Sequence, residues 1–573
     1  MVRAPLHKST YYGCMRRFLR FLNKKKRDHE LAPDEIFLDA TNSPDFNRNS
    51  LEGKLERPIS HSTFAWLVAC VSMAFFVLVA QAAHLEIMQG AKYSVQSEKN
   101  RLRPAIIFAE RGAILDRNGT PLVSNELTED ASIHRVYATP GFSHLLGYVS
   151  YPKKDASGFY YDTNISGLAG IEAYFNTQLA GKNGTVLVEE DAHGVTKSQG
   201  TVDPPVKGQN MTLAIDSRAQ KAFYDSISHL SDEIPFKGGS GILMDIQTGE
   251  VHALVSYPEY NPNILAAGGP SDVIAGYSTD TRQPYLDRAV TGLYTPGSVV
   301  KPLEASGALT DGVITPETTV YSSGSISLPN PYDPKHPTIF KDWKALGLMD
   351  TRHAIAWSSD VFFYTVGGGF GGLKGLGIER LKYWFSAYGL SKPTGIEIGR
   401  EATGFVPDPD WKLKTFKEQW RLGDTYHTAI GQYAMQVTPI EMARAIAAIA
   451  NGGKLITPTI LANQAPKGES LVVSPDALQV VREGMRLGAT EGTSVGLNDL
   501  PFTHIAGKTG TAQLGFHNEF YNSWAVGFFP YEHPRYVYVV VMEHGPSGNL
   551  KGAVYAVHQA LSQLHETAPE YFQ

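Results

Sequence analysis

The 573-residue chain is almost free of cysteine, since Cys14 and Cys70 are its two thiols. Everything after residue 70 therefore holds neither a disulfide nor a thiolate metal site. The 18 histidines show no ligand spacing, and we expect no metal and no other cofactor. A glycine-rich phosphate-binding loop, internal repeats and low-complexity tracts are also missing, and nothing indicates a nucleic-acid partner.

Long uncharged stretches are equally scarce. The segment from Phe64 to Ala83 is the one run of 20 residues without a charge, which is about the length that a helix needs to cross a bilayer. A cleaved signal peptide is the alternative, because Ala80-Gln81-Ala82 resembles a cleavage site. The run is longer than a typical signal sequence and follows a long tail, so we predict an uncleaved transmembrane anchor over residues 61–86.

Charge is distributed unevenly along the chain. The net charge is −6, yet residues 1–60 carry 12 Lys/Arg against 8 Asp/Glu, or +4, which leaves −10 for the remainder. Seven basic residues and no acid lie between Arg16 and Arg27. By the positive-inside rule this basic tail, residues 1–60, stays in the cytoplasm. We therefore predict a single-pass protein of the cytoplasmic (inner) membrane, with its large C-terminal part exported.

The exported part reads as two domains. Asn118-Gly119 between apolar runs predicts a β-hairpin, and Pro204-Pro205 marks a boundary. We assign residues 87–207 to a β-rich pedestal and 208–573 to a second domain. In that domain strand patterns precede a series of helical patterns, one of them over residues 352–367, and strand patterns return after residue 503. This order predicts an α+β fold with an antiparallel sheet flanked by helices.

A candidate nucleophile lies in the sequence Pro296-Gly297-Ser298-Val299-Val300-Lys301. The tight turn places Ser298 at a helix start, and a residue three positions later lies on the same helix face. A neutral Lys301 amine can therefore take the proton of the Ser298 hydroxyl. A second Ser-x-x-Lys, Ser150 to Lys153, contains a proline and lacks this setting, so the pattern alone is not specific.

Two further motifs follow Ser298. Ser358 and Asp360 in Ser-Ser-Asp are predicted in a short turn that leads into an aromatic-rich buried helix, where they can relay a proton and orient a lysine. The alternative is a helix N-cap, since Ser and Asp both cap helices. In Lys508-Thr509-Gly510-Thr511 a strand would alternate its side chains between two faces, with a cation and hydroxyls for a peptide carboxylate and a glycine that permits close approach. A glycine-containing turn is the structural alternative.

In this order the three motifs resemble the penicillin-recognising serine transferases and hydrolases. The remaining matches are similar to class B penicillin-binding proteins, which are monofunctional peptidoglycan D,D-transpeptidases. These matches are Arg111-Gly112, Asp116 to Gly119, Gly167 to Glu172, Ile430 to Gln432, Thr438-Pro439, and the basic tail with its single anchor. The resemblance covers nearly everything after residue 60 and implies a serine β-lactamase-like transpeptidase fold behind the pedestal.

The resemblance also implies roles. Ser298 would be acylated by a D-Ala-D-Ala stem peptide or a β-lactam, with Lys301 as general base. Ser358 and Lys508 would assist proton transfer, while Thr509 and Thr511 contact the substrate carboxylate. The N–H groups of Ser298 and Thr511 would form the oxyanion hole. A polytopic glycosyltransferase of the shape, elongation or division type would be the membrane partner.

Departures from the family pattern help to distinguish the elongation branch of the family from the division branch. Many relatives have Asn at the position of Asp360, and the acidic form, with Lys341 to Lys344 and Gly395 to Ile398, is more similar to the elongation (rod-shape) branch. The stretch from Asn118 to Gly167 is shorter than usual, which puts partner contacts of the pedestal in doubt. A division-type enzyme, a β-lactamase or β-lactam sensor, and a non-catalytic scaffold remain as alternatives.

Overall fold

A computed structural model describes residues 60–127, 133–190, 196–330, 333–515, 517–549 and 551–573. The basic stretch from Arg16 to Arg27 and the tail to which it belongs lie outside these residues. The chain forms two compact units, one that ends at Ser97 and one that spans Glu98–Gln573.

The first unit contains one long apolar helix, α1 (His61–Ala83), which a π-helical turn extends to Met88. Ser60 caps the helix start by accepting the backbone N–H of Thr63. The helical segment has 28 residues, an 18-residue window within it has a mean hydropathy of 2.3, and its side chains are exposed. Its length and composition fit a single membrane span. Helix α2 (Gly90–Arg101) follows.

The second unit contains both short and long helices. The α-helices are α3 (Ser143–Leu146), α4 (Gly170–Tyr174), α5 (Asn176–Ala180), α6 (Ser217–Glu233), α7 (Pro262–Ala267), α8 (Ser271–Thr279), α9 (Lys301–Thr310), α10 (Thr351–Ala356), α11 (Asp360–Gly368), α12 (Gly377–Ala387), α13 (Pro409–Phe416), α14 (Leu422–Ala429), α15 (Pro439–Ala450), α16 (Pro475–Thr490) and α17 (Ala553–Thr567). Short 3₁₀ turns cover Gly297–Val300, Val495–Leu497 and Pro569–Phe572.

The strands are grouped in small sheets and one large sheet. They are β1 (Leu102–Ile107), β2 (Ile114–Leu115), β3 (Pro121–Leu127), β4 (Ile133–Tyr137), β5 (Val149–Ser150), β6 (Lys153–Lys154), β7 (Tyr160–Asp162), β8 (Ser166–Gly167), β9 (Gly184–Glu190), β10 (Thr196–Asp203), β11 (Met211–Thr212), β12 (Gly238–Asp245), β13 (Val251–Tyr257), β14 (Val320–Ser322), β15 (Ser325–Leu328), β16 (Thr338–Lys341), β17 (Gly347–Met349), β18 (Lys454–Ile456), β19 (Gly468–Ser470), β20 (Ala506–Leu514), β21 (Phe520–Phe529) and β22 (Tyr536–Pro546).

The large sheet has five strands in the order β13-β12-β22-β21-β20, and every neighbouring pair is antiparallel. Helices α6 and α17 pack on one face of this sheet. Helices α15 and α16 and the turn at Gly297–Val300 also contact strands of the sheet. Because helices cover the sheet, all eight residues of β12 are buried. The predicted α+β fold with an antiparallel sheet is confirmed, and β20 forms one edge of that sheet.

The region before this sheet contains the predicted hairpin. Strands β2 and β3 pair antiparallel around Asn118-Gly119, and Gly119 has a φ of +85°. Arg111 and Arg135 are buried here on either side of Glu172, and we call these three residues the Arg111 cluster. The Arg111 Nε lies 2.6 Å from Glu172 Oε2, and the Arg135 Nη2 lies 2.6 Å from Glu172 Oε1. The cluster ties two of the sequence motifs, Arg111-Gly112 and Gly167 to Glu172, into one core.

Candidate active site

Ser298 lies in the 3₁₀ turn Gly297–Val300, which passes directly into α9 at Lys301. The backbone N–H of Lys301 donates to the carbonyl of Ser298. In a 3₁₀ turn the side chains at i and i+3 eclipse each other, so Ser298 and Lys301 lie on the same side. Lys301 is fully buried, whereas Ser298 is partly exposed. The Ser298 N–H lies in this first turn, where backbone donors have no intrahelical acceptor, and is therefore suited to binding an oxyanion.

Two glycines bring backbone segments close to the nucleophile turn. Gly297 donates its N–H to Gly431 O over 2.9 Å, and a Cβ on Gly431 would lie 2.3 Å from Gly297 O. A Cβ on Gly510 of β20 would lie 2.7 Å from Pro296 O. Gly510 therefore permits a close approach of β20 to the nucleophile turn.

The Ser358 motif forms a corner between two helices. The sequence predicts a helical pattern over residues 352–367 and, within it, a short turn at Ser358 that leads into a buried helix. The structure has this turn at residues 357–359, where α10 ends and α11 begins. Ser358 has a φ of +57°, a left-handed conformation that is uncommon outside glycine. Ser359 caps α11 by accepting the N–H of Phe362 at 3.3 Å. The helix breaks because this hydroxyl satisfies a backbone donor that a continuous helix would otherwise bond.

Two lysines meet at the Ser358 corner. The Lys301 Nζ donates to Ser358 O at 2.8 Å, to Ser358 Oγ at 3.3 Å and to Asp360 Oδ1 at 2.6 Å. The Lys508 Nζ donates to Ser358 Oγ at 2.8 Å and to Thr509 O at 2.8 Å. We call Lys301, Ser358, Asp360 and Lys508 the Lys301 cluster. Its two amines are joined through one hydroxyl.

The Lys301 cluster contains two amines and one carboxylate, so one ammonium at most is balanced by an adjacent acid. Burial lowers the pKa of Lys508 well below its ordinary value, the Lys301 charge lowers it further, and Asp360 opposes both effects. Lys508 is therefore disposed to be neutral. Among the described residues no hydrogen bond joins the Ser298 hydroxyl to either lysine, and such contacts commonly tighten only when substrate binds.

Strand β20 alternates its side chains as the sequence predicts. Lys508 and Gly510 are buried, Thr511 is exposed, and Thr509 is partly exposed. The Thr509 hydroxyl donates to Thr493 Oγ1 at 2.7 Å. Because β20 is an edge strand beside Ser298, an extended peptide can add to the sheet here while its carboxylate meets the threonine hydroxyls.

Two family models match the chain. The penicillin binding protein transpeptidase domain matches residues 239–561, and the penicillin-binding protein dimerisation domain matches residues 127–213. The first of these matches covers more than half of the sequence and includes all three motifs around Ser298. The chain belongs to the class B penicillin-binding proteins.

Individual relatives of this class B protein agree with the family models. Peptidoglycan D,D-transpeptidase MrdA of Haemophilus influenzae is 32% identical over 79% of this chain and 72% of its own length. The complex of the penicillin-binding protein PBP2 with MreC from Helicobacter pylori contains a chain with 27% identity and a TM-score of 0.68, covering 82% of this chain and 99% of that one. A peptidoglycan synthase complex matches with 26% identity and a TM-score of 0.70, over 88% and 98% of the two chains.

These relatives also resolve the branch. The protein is a peptidoglycan D,D-transpeptidase of the elongation type, and the division-type alternative is not favoured. Its N-terminal helix fits a single-pass membrane protein. The match to solved chains in complexes with the shape machinery supports partners of that kind.

The structure brings most of the predicted site residues together. Hydrogen bonds join Lys301 to Ser358 and Asp360, and Lys508 to Ser358. Ser298 lies one turn before Lys301, and Thr509 to Thr511 follow Lys508 on β20. The second Ser-x-x-Lys lies elsewhere, with Ser150 at the end of β5 and an exposed Lys153 in β6.

Sequence reasoning missed four residues around the site. Thr493 pairs with Thr509, the Trp524 Nε1 donates to Thr295 O at 3.0 Å, and Asp342 bonds the Ser358 corner. Glu304, one turn after Lys301, has both carboxyl oxygens buried without a hydrogen-bond partner among the described residues. Burial raises the pKa of Glu304 well above its ordinary value, so this acid is neutral. A charged residue between the apolar Leu303 and Ala305 was the available signal for Glu304.

Proposed function

We propose that Ser298 is the acylated nucleophile of this transpeptidase. Its Oγ attacks the carbonyl carbon of the D-Ala-D-Ala peptide bond, the C–N bond breaks, and D-alanine leaves with a proton on its nitrogen. The ester formed on Ser298 is then attacked by the amine of a neighbouring stem peptide. This step forms the cross-linking amide and returns a proton to the Ser298 oxygen. No cofactor takes part.

The Lys301 cluster supplies the proton transfers. Lys301 takes the proton of Ser298, while its own excess proton passes through the Ser358 hydroxyl to the Lys508 amine. Asp360 holds the Lys301 amine in place, and the reverse transfer protonates the leaving D-alanine. The observation that carries this proposal is the Ser358 hydroxyl, which lies 3.3 Å from the Lys301 Nζ and 2.8 Å from the Lys508 Nζ.

The substrate carboxylate binds at the hydroxyls of Thr509 and Thr511, and the peptide backbone adds to β20. Gly510 acts here through its backbone and through the close packing against the nucleophile turn. The N–H groups of Ser298 and Thr511 form the oxyanion hole.

Fluorescent penicillin tests the assignment, because it forms a covalent adduct with the nucleophile. The full-length protein in detergent is expected to give a long-lived adduct, which Ser298→Ala abolishes while the melting temperature is unchanged. Ser150→Ala is the matched control, since it removes the serine of the second Ser-x-x-Lys. Labelling that survives in Ser298→Ala would refute the nucleophile, and rapid loss of the adduct would indicate a β-lactamase.

We propose the domain order 1–60 cytoplasmic tail, 61–86 anchor, 87–207 pedestal and 208–573 transpeptidase domain, with the last two exported. The basic stretch of the tail supports this orientation. A membrane-impermeant maleimide applied to spheroplasts tests it, with Ser271→Cys on the exposed start of α8 as the exported probe. We expect labelling at this cysteine and protection of Cys14; the opposite pattern would reverse the topology.

We further propose a polytopic glycosyltransferase as the membrane partner. The match to a chain of a peptidoglycan synthase complex, over 88% of this sequence, supports the pairing. Replacing α1 with an unrelated transmembrane helix is expected to leave penicillin acylation unchanged and to prevent co-purification with the glycosyltransferase. If acylation and co-purification are both lost, the variant has a folding defect. If co-purification is retained, α1 is not part of the interface.

A further inference from the structure

The Ser358 corner is held from outside by a segment of three residues, Asp342, Trp343 and Lys344, which follows β16. We call it the 342–344 strap. Asp342 is buried, and its Oδ2 accepts hydrogen bonds from Ser359 Oγ at 2.7 Å and from Val361 N at 3.1 Å. A carboxylate at this position stabilises the N-terminus of α11 through its free N–H groups and its dipole. The strap thereby fixes the helix start just after Ser358.

The next residue of the strap holds the other side of the corner. The Trp343 Nε1 donates to Trp357 O at 3.0 Å, and Trp357 is the last residue before Ser358. The Lys344 Nζ lies 4.3 Å from the ring centres of both Trp343 and Trp357, between the two indoles. Consecutive strap residues therefore bind the chain immediately before and immediately after Ser358.

Ser358 needs such support because of its conformation. Its φ of +57° is unfavourable for a residue with a side chain, and this backbone persists only where the surroundings determine it. The same backbone directs the Ser358 carbonyl and hydroxyl to the Lys301 amine. A relaxed corner would withdraw both groups, together with the hydroxyl contact to Lys508.

The strap is itself anchored on the side away from the corner. Ser322 Oγ donates to Asp342 Oδ2 at 3.0 Å, and the Asp342 N–H donates to Gly324 O at 2.8 Å. Phe340, two residues earlier, is buried against the rings of Tyr364 and Tyr426. These contacts give the strap a fixed base from which it can hold the corner.

We infer that Asp342 and Trp343 are positioning residues, which hold Ser358 in its strained conformation so that its hydroxyl joins the amines of Lys301 and Lys508. This inference rests on the proposed role of the Lys301 cluster. It assigns a function to a strap that lies outside the three motifs and contacts neither Ser298 nor β20.

Stopped-flow acylation by a fluorescent penicillin tests the inference, because it separates non-covalent binding (Kd) from the acylation rate constant. In the full-length protein, Asp342→Asn is expected to lower the rate constant by about 10²-fold, the loss typical of a misplaced catalytic group. Trp343→Phe removes one N–H from a half-exposed side chain and is expected to lower it by about tenfold. Kd is expected to stay within about threefold of the parent, because the strap's hydrogen bonds hold the Ser358 corner and, among the described residues, reach neither Ser298 nor β20.

Two controls separate positioning from general damage. Asp216→Asn neutralises another buried carboxylate at a helix N-terminus, that of α6, and is expected to leave the rate constant unchanged. In a Ser358→Ala background, Asp342→Asn is expected to add little, since its partner is already absent.

The outcomes are distinct. If the parent protein is not acylated at all, the proposed function fails before the strap is tested. If the parent reacts and both strap variants react at the parent rate, or if the loss equals that of Asp216→Asn, the positioning role is refuted. If Asp342→Asn does not fold, the acylation rate constant of Trp343→Phe alone tests the positioning role.

Discussion

The protein buries two groups of charges, and they are built in opposite ways. In the Arg111 cluster one carboxylate lies between two guanidinium groups, and the remaining donors of Arg111 bond Ile165 O, Asn176 Oδ1 and Glu172 O. In the Lys301 cluster two amines share one hydroxyl and one partly exposed carboxylate. The first cluster bonds its guanidinium groups to fixed acceptors, whereas the second leaves a proton with more than one place to reside.

This difference separates a structural from a reactive set of buried charges. Guanidinium groups keep their protons under all ordinary conditions, so the Arg111 cluster can hold the fold but cannot exchange protons. Lysine changes its protonation readily when it is buried, and two neighbouring lysines push each other toward the neutral form. We expect substitutions in the two clusters to affect different measurements, stability in one case and acylation in the other.

The largest effect is expected from Lys301→Met. Loss of the general base is expected to lower the acylation rate constant by about 10⁴-fold, as for other members of a catalytic unit. The measurement is the labelling rate with fluorescent penicillin, and Lys153→Met, in the second Ser-x-x-Lys, is the matched control. A loss below tenfold would show that another group takes the Ser298 proton.

Glu172→Gln tests the other cluster. It leaves two buried guanidinium groups without a carboxylate and is expected to cost about 3–5 kcal/mol in free energy of unfolding. Urea denaturation followed by pulse proteolysis measures the loss, while the folded fraction is expected to be acylated at the parent rate. Glu233→Gln breaks the exposed pair with Lys551 and is expected to change neither quantity. A reduced acylation rate in folded Glu172→Gln would couple the two clusters.

Asp360→Asn makes the same carboxylate-to-amide change in the Lys301 cluster. The amide still accepts a hydrogen bond from Lys301, but this bond is weaker than the bond to a charged group. We expect the acylation rate to fall by about tenfold, with little change in stability. A stability loss as large as that of Glu172→Gln would mean that both clusters are structural.

Glu304→Met is expected to give the smallest effect, and it is a gain. Because the folded-state pKa of Glu304 is raised, the unfolded chain releases its proton above pH 4.5 while the folded chain retains it. Stability therefore falls as the pH rises from this value toward the folded-state pKa. Methionine removes both unpaired oxygens and should stabilise the protein by about 1 kcal/mol at pH 7, and by more at pH 8 than at pH 5. A loss of stability would indicate that Glu304 has a partner such as a buried water.

Local patterns in the sequence were sufficient for much of this structure. The spacing of Ser298 and Lys301 and the alternation in β20 both follow from the periods of a helix and a strand, and the anchor follows from one uncharged run. At the Ser358 corner the sequence predicts a short turn inside a helical pattern, because the preference of Ser359 for capping competes with the apolar residues around it. Strong local signals of both kinds are present there, and tertiary contacts decide between them.

Contacts between distant residues were not predictable in the same way. Arg111 and Glu172 are 61 positions apart, and neither residue shows from its neighbours that the other will be its partner. The sequence segment from Lys341 to Lys344 was noticed only as a mark of the branch, because nothing local indicates that Asp342 bonds Ser359. A hydrogen-bond partner across the fold depends on the packing of helices and strands that single-sequence patterns do not encode.

The close backbone contacts at Gly431 and Gly510 have a consequence for drug resistance. A side chain at either position would displace the turn that carries Ser298, and this displacement would impair the reaction with penicillin and cross-linking alike. Substitutions at these two positions are therefore not expected to be selected under antibiotic pressure. We expect substitutions that lower drug affinity while sparing wall synthesis to occur at exposed positions around Ser298, where the contacts of a β-lactam and of a stem peptide differ.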